Sequence, residues 1–449
     1  MKRALIFGVG QNYEAYKKSI FSNYEIVGLA DNSHSKQGTM VDNYAISDIN
    51  NFSPDEVDVV LVTPTNGDEM IGQLIDIGFK RENIIDAQSY YDSALTSKIR
   101  VSFMFYGGMG DFLIGKNWLY YLDKTYDFRD AHIDIFVDKK DISDAKNVFG
   151  DFNKLAGLHG TELRYNACYE DSGYDLSFKF CIFPYVEYFF GDKLAKSNKP
   201  LLDYVLRLQK FGFDNYPYGF CHSPYYYKTI RELFEKFNRK YHNFFDVFDD
   251  FEVGDTFLYE LPITEKASDY LEKCGIEPRK YITLNTGLNL GYINLGNTRA
   301  WAYDAWNELA NLLRNNFPEI KVVQIGLKMT ENDDIEADVH LNGKTNFEEM
   351  KMLLRNALVH VDYDGGLVHV RHILHGGCSV VLFGPSYRGW HSYSENISVQ
   401  TDVCDCCEWT DGRWLVDCPK GLSYPKCMES IRPYDVFQKI KEYIKCRNG

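Results

Sequence analysis

The sequence has no long apolar run. Its longest, such as Val59–Val62 and Val380–Phe383, fall far short of the roughly 20 residues that carry a helix across a bilayer. Positive charge is also scarce: 49 Lys and Arg face 64 Asp and Glu, for a net charge of −15. That balance argues against a broad basic surface, so neither nucleic acid nor an anionic membrane is an expected partner. Met1–Lys2–Arg3 runs straight into the apolar stretch Ala4–Phe7, with no signal-peptide core and no cleavage site, and a cytoplasmic protein is the expectation. No short repeat and no low-complexity segment interrupts the chain. With 45% hydrophobic and 25% charged residues, wholesale disorder is excluded. A length of 449 residues leaves room for about three domains.

Aromatics and cysteines are abundant by contrast. There are 33 Tyr and 30 Phe, enough for apolar walls and ring-lined clefts without naming a ligand. Of 11 Cys, six (Cys168, Cys181, Cys221, Cys274, Cys378, Cys446) are scattered singly, whereas Cys404, Cys406, Cys407, Cys418 and Cys427 crowd together. In a reducing compartment the scattered ones read as buried thiols and the crowd as a metal site. Cys404-x-x-Cys407, then Cys418 and Cys427, has the spacing of a tetrahedral four-thiolate site, with Cys406 a competing ligand. Zinc is the chemical default, and iron also suits sulfur-rich surroundings.

Along the chain, strand and helix patterns alternate. Ala4–Phe7, Glu25–Leu29 and Val57–Val62 read as strands, and Asp68–Ile77 as a helix, giving a small doubly wound unit over residues 1–98. This unit holds part of a dinucleotide fingerprint: Gly8, Gly10 and, about twenty residues on, Asp31. Tyr13 stands where the third glycine belongs, so NAD at residues 8–31 is not expected. A second unit, residues 99–275, opens at Val101–Phe105 and runs into Gly107-Gly-Met-Gly-Asp111. Its middle resists parsing: Phe183–Phe190 and Tyr216–Tyr227 read as aromatic loops or short strands, and Ile230–Phe237 as a helix. The third, residues 276–449, has the clearest pattern: strands at Tyr281–Leu284, Lys321–Ile325, Val359–Asp362 and Ser379–Phe383 alternate with amphipathic helices. Thr345 and Glu348 are spaced as a capping box, and Tyr434–Ile444 reads as the last helix.

Three turns can carry chemistry. Asp364-Gly365-Gly366-Leu-Val-His369 lies where a strand gives way to a helix; small residues admit a ligand, and the helix start offers N–H groups to an anion such as a diphosphate. His369 can donate to a phosphate oxygen; the plainer alternative makes Asp364 a helix cap. Asp111, at the equivalent turn of the second unit, reads as a general base or as a helix cap. On the loop after the third unit's first strand, Thr286-Gly287 and Arg299 can approach a phosphate, Arg299 in bidentate fashion; the plainer alternative makes them a simple turn and a solvated loop arginine.

The order of these motifs resembles glycosyltransferase family 9, the bacterial heptosyltransferases. The likeness rests on Asn342-Gly-Lys344-Thr345-Asn-Phe347, Val361-Asp-Tyr-Asp364-Gly-Gly366-Leu-Val-His369, Val381-Leu-Phe383-Gly384-Pro385-Ser386, the Gly110-Asp111 turn, and Arg299-Ala-Trp301 where the family has a Lys before a Trp. It spans about residues 100–445 and is absent from residues 1–98. It implies an α/β GT-B fold, two facing Rossmann-like domains, here with an additional N-terminal Rossmann-like domain. The nucleotide-sugar donor, ADP-heptose by the resemblance, would bind the C-terminal domain at Thr286, Gly287, Lys344, Thr345, Asp364, Gly365, Gly366 and His369. The acceptor would bind the middle domain.

By the same resemblance Asp111 is the base of an inverting transfer, and Arg299 stands in for the phosphate-binding Lys. An Arg cannot serve as a general acid, so its role narrows to stabilising the departing diphosphate. The cluster Cys404, Cys407, Cys418 and Cys427 (segment 404–427) is similar to the iron finger of the autotransporter heptosyltransferases, which glycosylate Ser on proteins and assemble into rings. Structural Fe or Zn, a glycan or protein (Ser/Thr) acceptor and a homo-oligomer are the matching expectations. Two other readings stand beside this one: an NAD-dependent sugar-nucleotide oxidoreductase or epimerase, and a non-catalytic glycan-assembly protein on the same fold.

Overall fold

The computed structural model describes residues 2–64, 67–86, 97–129, 131–161, 174–215, 226–246, 254–287, 298–328 and 334–448. Buried β-branched and aromatic runs build three sheets. The first holds β1 (Lys2–Phe7), β2 (Tyr24–Ala30), β3 (Met40–Val41), β4 (Tyr44–Ser47), β5 (Val59–Val62) and β6 (Ile84–Asp86) in the order β3-β4-β2-β1-β5-β6. Only the β3–β4 pair is antiparallel. The helices Gln11–Asn23 and Asp68–Ile77 complete a doubly wound unit. Two separate small cores, one around Tyr13 and Ile20 and one around Phe7 and Leu74, fill its opposite faces.

The second sheet contains β7 (Arg100–Phe105), β8 (His132–Asp138), β9 (Leu155–Thr161), β10 (Leu176–Cys181) and β11 (Phe183–Phe189) in the order β11-β10-β7-β8-β9, parallel except for the β10–β11 pair. Phe183–Phe190, ambiguous in the sequence, is therefore largely an edge strand. Residues 216–225 of the other aromatic stretch lie outside the described residues, and its end begins the helix Tyr226–Phe237. Rings do much of the packing: Trp118 stands edge-on to Phe103 and Phe178 at 5.6 and 5.2 Å and donates its indole N–H to the Tyr204 hydroxyl at 2.9 Å. Such aromatic pairs add about 0.5–1.5 kcal/mol each beyond their buried area.

The third sheet, wholly parallel, holds β12 (Tyr281–Asn285), β13 (Lys321–Ile325), β14 (Val339–His340), β15 (Val359–Tyr363), β16 (Ser379–Phe383) and β17 (Ile397–Gln400) in the order β14-β13-β12-β15-β16-β17. The last helix, Pro433–Asn448, buries Val436, Phe437, Ile440 and Ile444 in the core that also takes Trp306, Leu309 and Leu313 from the helix Tyr303–Asn316. The expected capping box is shifted by one residue. Asn346 caps the helix Phe347–Asn356 by accepting from Glu349 N, and Glu349 accepts from Asn346 N in return. Glu348 instead accepts from Thr264 N at 3.0 Å and pairs with Lys351 at 2.7 Å.

The second and third units share one continuous core, which runs from Val101 and Trp118 to Leu353 and Val370. Polar contacts reinforce it: Lys351 donates to Pro262 O, and His372 Nε2 lies 2.6 Å from Asp255 O. The fold is α/β: two Rossmann-like units face each other in the GT-B manner, preceded by a third Rossmann-like unit.

One glycine tests the packing at a sheet edge. A methyl group on Gly287, just past β12, would collide with Leu327 N and the Gly326 backbone, whereas one on Gly10 would meet nothing within 4 Å. Gly287→Ala is expected to destabilise by about 3 kcal/mol, and Gly10→Ala to leave the urea midpoint unchanged; equal midpoints for the two variants would contradict this geometry.

Candidate active site

The site is built where two helices begin. β7 ends at Phe105, and the chain turns through Gly107 into the helix Met109–Tyr126. β15 ends at Tyr363, and Asp364-Gly365 leads into the helix Gly366–Ile373. The two helix starts meet at glycines. A Cβ on Gly366 would lie 3.2 Å from Gly110 N; one on Gly110 would lie 3.1 Å from His369 Cδ2 and 3.5 Å from Gly366 Cα. The carboxyl edges of two parallel sheets thus confront each other, the place where open α/β folds bind ligands.

Asp111 occupies the third position of its helix. One carboxylate oxygen accepts from Gly108 N at 2.8 Å, and the other accepts from the Tyr241 hydroxyl. It therefore does close the helix start. Each oxygen nevertheless keeps a lone pair, so capping and proton acceptance are compatible. Burial raises its pKa above the ordinary carboxylate value, against the pull of Tyr241, the Gly108 N–H and the Arg299 charge. Burial and the Asp111 charge push the Tyr241 hydroxyl well above its usual range, so it stays a donor.

Asp364 is not a helix cap: Gly365 holds that position, and no side chain caps it. Its carboxylate faces cations instead. Arg299 donates to Asp364 O at 2.7 Å and lies 3.7 Å from its Oδ2; His391 Nδ1 lies 4.0 Å from its Oδ1. Burial works against the charged form, yet His391, Arg299 and His369 together hold its pKa below the ordinary value. The guanidinium of Arg299 also lies 5.7 Å over the Tyr363 ring. His369 is buried, which lowers its pKa to about 3, and its Nδ1 lies 2.6 Å from the Tyr393 hydroxyl. Its other edge faces Gly110.

The remaining residues expected at a donor are spread along the same sheet edge. Thr286 Oγ1 accepts from Gln324 Nε2 at 2.7 Å, and Gly287 O accepts from the Tyr363 hydroxyl at 2.8 Å, tying this loop to the Asp364 turn. Thr345 is partly buried; Lys344 is exposed and donates to His340 O at 3.0 Å. The structure therefore gathers Asp111, Arg299, Asp364, Gly365, Gly366 and His369, and leaves Lys344 at the surface. Asn297, flanking Arg299, lies outside the described residues.

The solved structures to which this chain is similar include heptosyltransferases. For the Escherichia coli ADP-heptose lipopolysaccharide heptosyltransferase II the TM-score is 0.48 at 14% identity, covering 78% of this chain and 100% of that one. For a glycosyltransferase family 9 protein of Veillonella parvula the values are 0.47, 14%, 77% and 97%. For the iron-containing dodecameric glycosyltransferase TibC of enterotoxigenic Escherichia coli they are 0.47, 12%, 78% and 77%. The likeness is one of fold. A family model described as C2185-like, N-terminal, matches residues 1–85. No curated protein matches the sequence.

In that N-terminal unit the partial fingerprint is used internally. Asp31 accepts from Val9 N at 2.8 Å and Ser33 N at 2.9 Å and pairs with Lys36 at 2.9 Å, leaving it committed rather than poised for a ribose. Gly8 has φ +99°, and a Cβ there would strike Pro64, so its glycine has a structural reason. The adjoining cleft of about 300 Å³, lined by Gly10, Gln11, Asn12, Thr63 and Pro64, is at the small end for ligand pockets.

At the cysteine segment, burial raises Cys407 to about 12 and also raises Cys427, with further upward pushes from the neighbouring thiols Cys404 and Cys418. Cys427 and Cys404 pack in the same apolar core. The thiol of Cys406 donates to Pro385 O at 2.9 Å. Among the described residues, however, no group of three or more His, Cys, Asp or Glu side chains is placed to hold a metal ion. The structure therefore does not support the expected Fe or Zn. No helix among the described residues is long and apolar enough to cross a membrane.

Four contributors carried no sequence signal: Tyr241, Tyr393, His391 and Glu408. Glu408, 1% exposed, accepts from Tyr387 N at 2.9 Å and holds His391 Nε2 at 2.7 Å. Burial alone would lower His391, but the charges of Asp364 and Glu408 raise it to about 9.

Proposed function

We propose that the protein is an inverting glycosyltransferase that moves a sugar from a nucleotide-sugar donor to a hydroxyl group of a glycan or protein acceptor. The observation that carries this reading is the meeting of Gly110-Asp111 with Gly366–His369 across the two sheet edges, with Arg299 anchored on Asp364. In this reading residues 276–449 hold the donor, residues 99–275 the acceptor, and residues 1–98 form an accessory domain. The diphosphate lies at the start of the Gly366–Ile373 helix, where backbone N–H groups and the partial positive charge favour anions. With Tyr393 donating to Nδ1, neutral His369 carries its proton on Nε2 and adds a donor there. Asp111 takes the proton of the acceptor hydroxyl as its oxygen attacks the anomeric carbon. The sugar–phosphate bond breaks in the same displacement, and Arg299 stabilises the charge left on the diphosphate.

A heptose donor carrying ADP is the finer expectation, and it rests on the sequence resemblance. The test is a panel of sugar nucleotides read by thermal shift and by nucleotide release. At least one is expected to raise the unfolding midpoint and to release its nucleoside diphosphate; no binding across the panel would overturn the proposal. Fe or Zn at Cys404, Cys407, Cys418 and Cys427 would serve only to close that segment, and what supports it is the spacing of the four cysteines in the sequence. Elemental analysis checks it: about one metal per chain is expected on the four-thiolate rule, whereas metal-free protein with reactive thiols would discard it.

A further inference from the structure

We infer that His391 is a second cation for the donor diphosphate, and that Glu408, delivered by the cysteine-rich segment, is the positioning residue that aims it; the inference rests on the glycosyl-transfer reading. His391 stands between two carboxylates, 2.7 Å from Glu408 Oε1 through Nε2 and 4.0 Å from Asp364 Oδ1 through Nδ1. Only the imidazolium presents an N–H to both sides. The Glu408 bond is complete, whereas 4.0 Å is too long for a hydrogen bond. Nδ1 thus faces the Asp364–Arg299 end of the site at more than hydrogen-bond distance from Asp364, and protonated there it would donate to a diphosphate oxygen entering at Gly365–Gly366.

Glu408 is well braced for this task. Arg231 donates at 3.0 Å to both Cys406 O and Glu408 O, Glu408 N donates to Pro385 O at 3.2 Å, and the second carboxylate oxygen accepts from Tyr387 N. The same carboxyl group that Tyr387 N holds meets His391 Nε2 at 2.7 Å, so the ring plane of His391 is fixed from this side. The cysteine-rich segment thereby reaches the Asp364 turn through His391. The Tyr241 ring, 5.3 Å from that of His391, adds a wall that also touches Asp111.

The test measures binding of ADP, UDP, GDP and inorganic pyrophosphate to the full-length protein by calorimetry. His391→Gln is expected to weaken the preferred diphosphate and pyrophosphate about tenfold or more, the usual weight of a charged hydrogen bond. Glu408→Gln, which keeps the volume, should act in the same direction. Both should raise KM for the sugar nucleotide more than they lower kcat. A second readout uses the wild type alone: in ¹⁵N-histidine spectra near neutral pH, one imidazolium signal should move when pyrophosphate is added. Folded variants that bind pyrophosphate like the wild type, or spectra with no such imidazolium, would overturn the inference. A wild type that binds no nucleoside diphosphate would instead sink the glycosyl-transfer reading itself.

Discussion

Asp111→Asn is expected to lower turnover by about 10²–10⁴-fold, the usual weight of general-base help, while leaving affinity for the nucleoside diphosphate unchanged. The amide keeps the shape: its oxygen can accept from Gly108 N while its NH2 donates to the Tyr241 hydroxyl oxygen, so the helix start survives. What it loses is the lone pair of a charged carboxylate. Because burial raises the pKa of Asp111, the wild-type rate should fall on acidification through a midpoint above the ordinary carboxylate range. The sign follows from the role: a base works only when deprotonated, and the raised value moves the loss to higher pH. A pH profile of kcat/KM with calorimetry on the variant checks both. Lost diphosphate affinity with intact turnover would remove Asp111 from the base role.

Arg299→Gln is expected to cost about 10²–10³-fold in kcat, as loss of one preorganised donor to a developing charge does elsewhere. Its guanidinium is held by Asp364 O and lies over Tyr363, so the fork is oriented before the donor arrives. Arg299→Lys should recover part of the rate, since a point charge remains but the bidentate geometry does not. The acidic limb set by Asp111 should keep its position in Arg299→Lys and rise slightly in Arg299→Gln, because Arg299 is one of the charges that lowers the Asp111 pKa. Turnover by Arg299→Gln equal to the wild type would exclude Arg299 from leaving-group stabilisation.

Much of the frame was legible because it is local. The strands Tyr281–Asn285, Lys321–Ile325 and Ser379–Phe383 and the helix Asp68–Ile77 fall where apolar periodicity places them. Asp364-Gly-Gly366 and Gly107–Asp111 were visible because a strand, small residues and a helix follow each other within a few positions. The capping box slipped by one because Thr345 and Asn346 are both competent caps, and the fold uses the second.

Tyr241, Tyr393, His391 and Glu408 were invisible for a different reason. Tyr241 reaches Asp111 across 130 positions and is one of 33 tyrosines; no spacing rule singles it out. Glu408 was hidden beside cysteines that drew attention to metal. Its burial against His391 depends on how the segment 404–427 folds back over Pro385–His391, which is tertiary information. The middle unit was hard to read because its aromatic residues satisfy neither a strict two-residue nor a 3.6-residue period, and ring packing around Trp118 decides it instead.

The most direct test is a crystal structure of the full-length protein with the nucleoside diphosphate that stabilises it best. The diphosphate is expected at the start of the Gly366–Ile373 helix, within hydrogen-bonding reach of Gly366 N and Arg299, with the open side of Asp111 facing the vacated sugar position. A nucleotide bound instead in the Gly10–Pro64 cleft of the first unit, with the Gly110–Gly366 junction closed, would contradict the account.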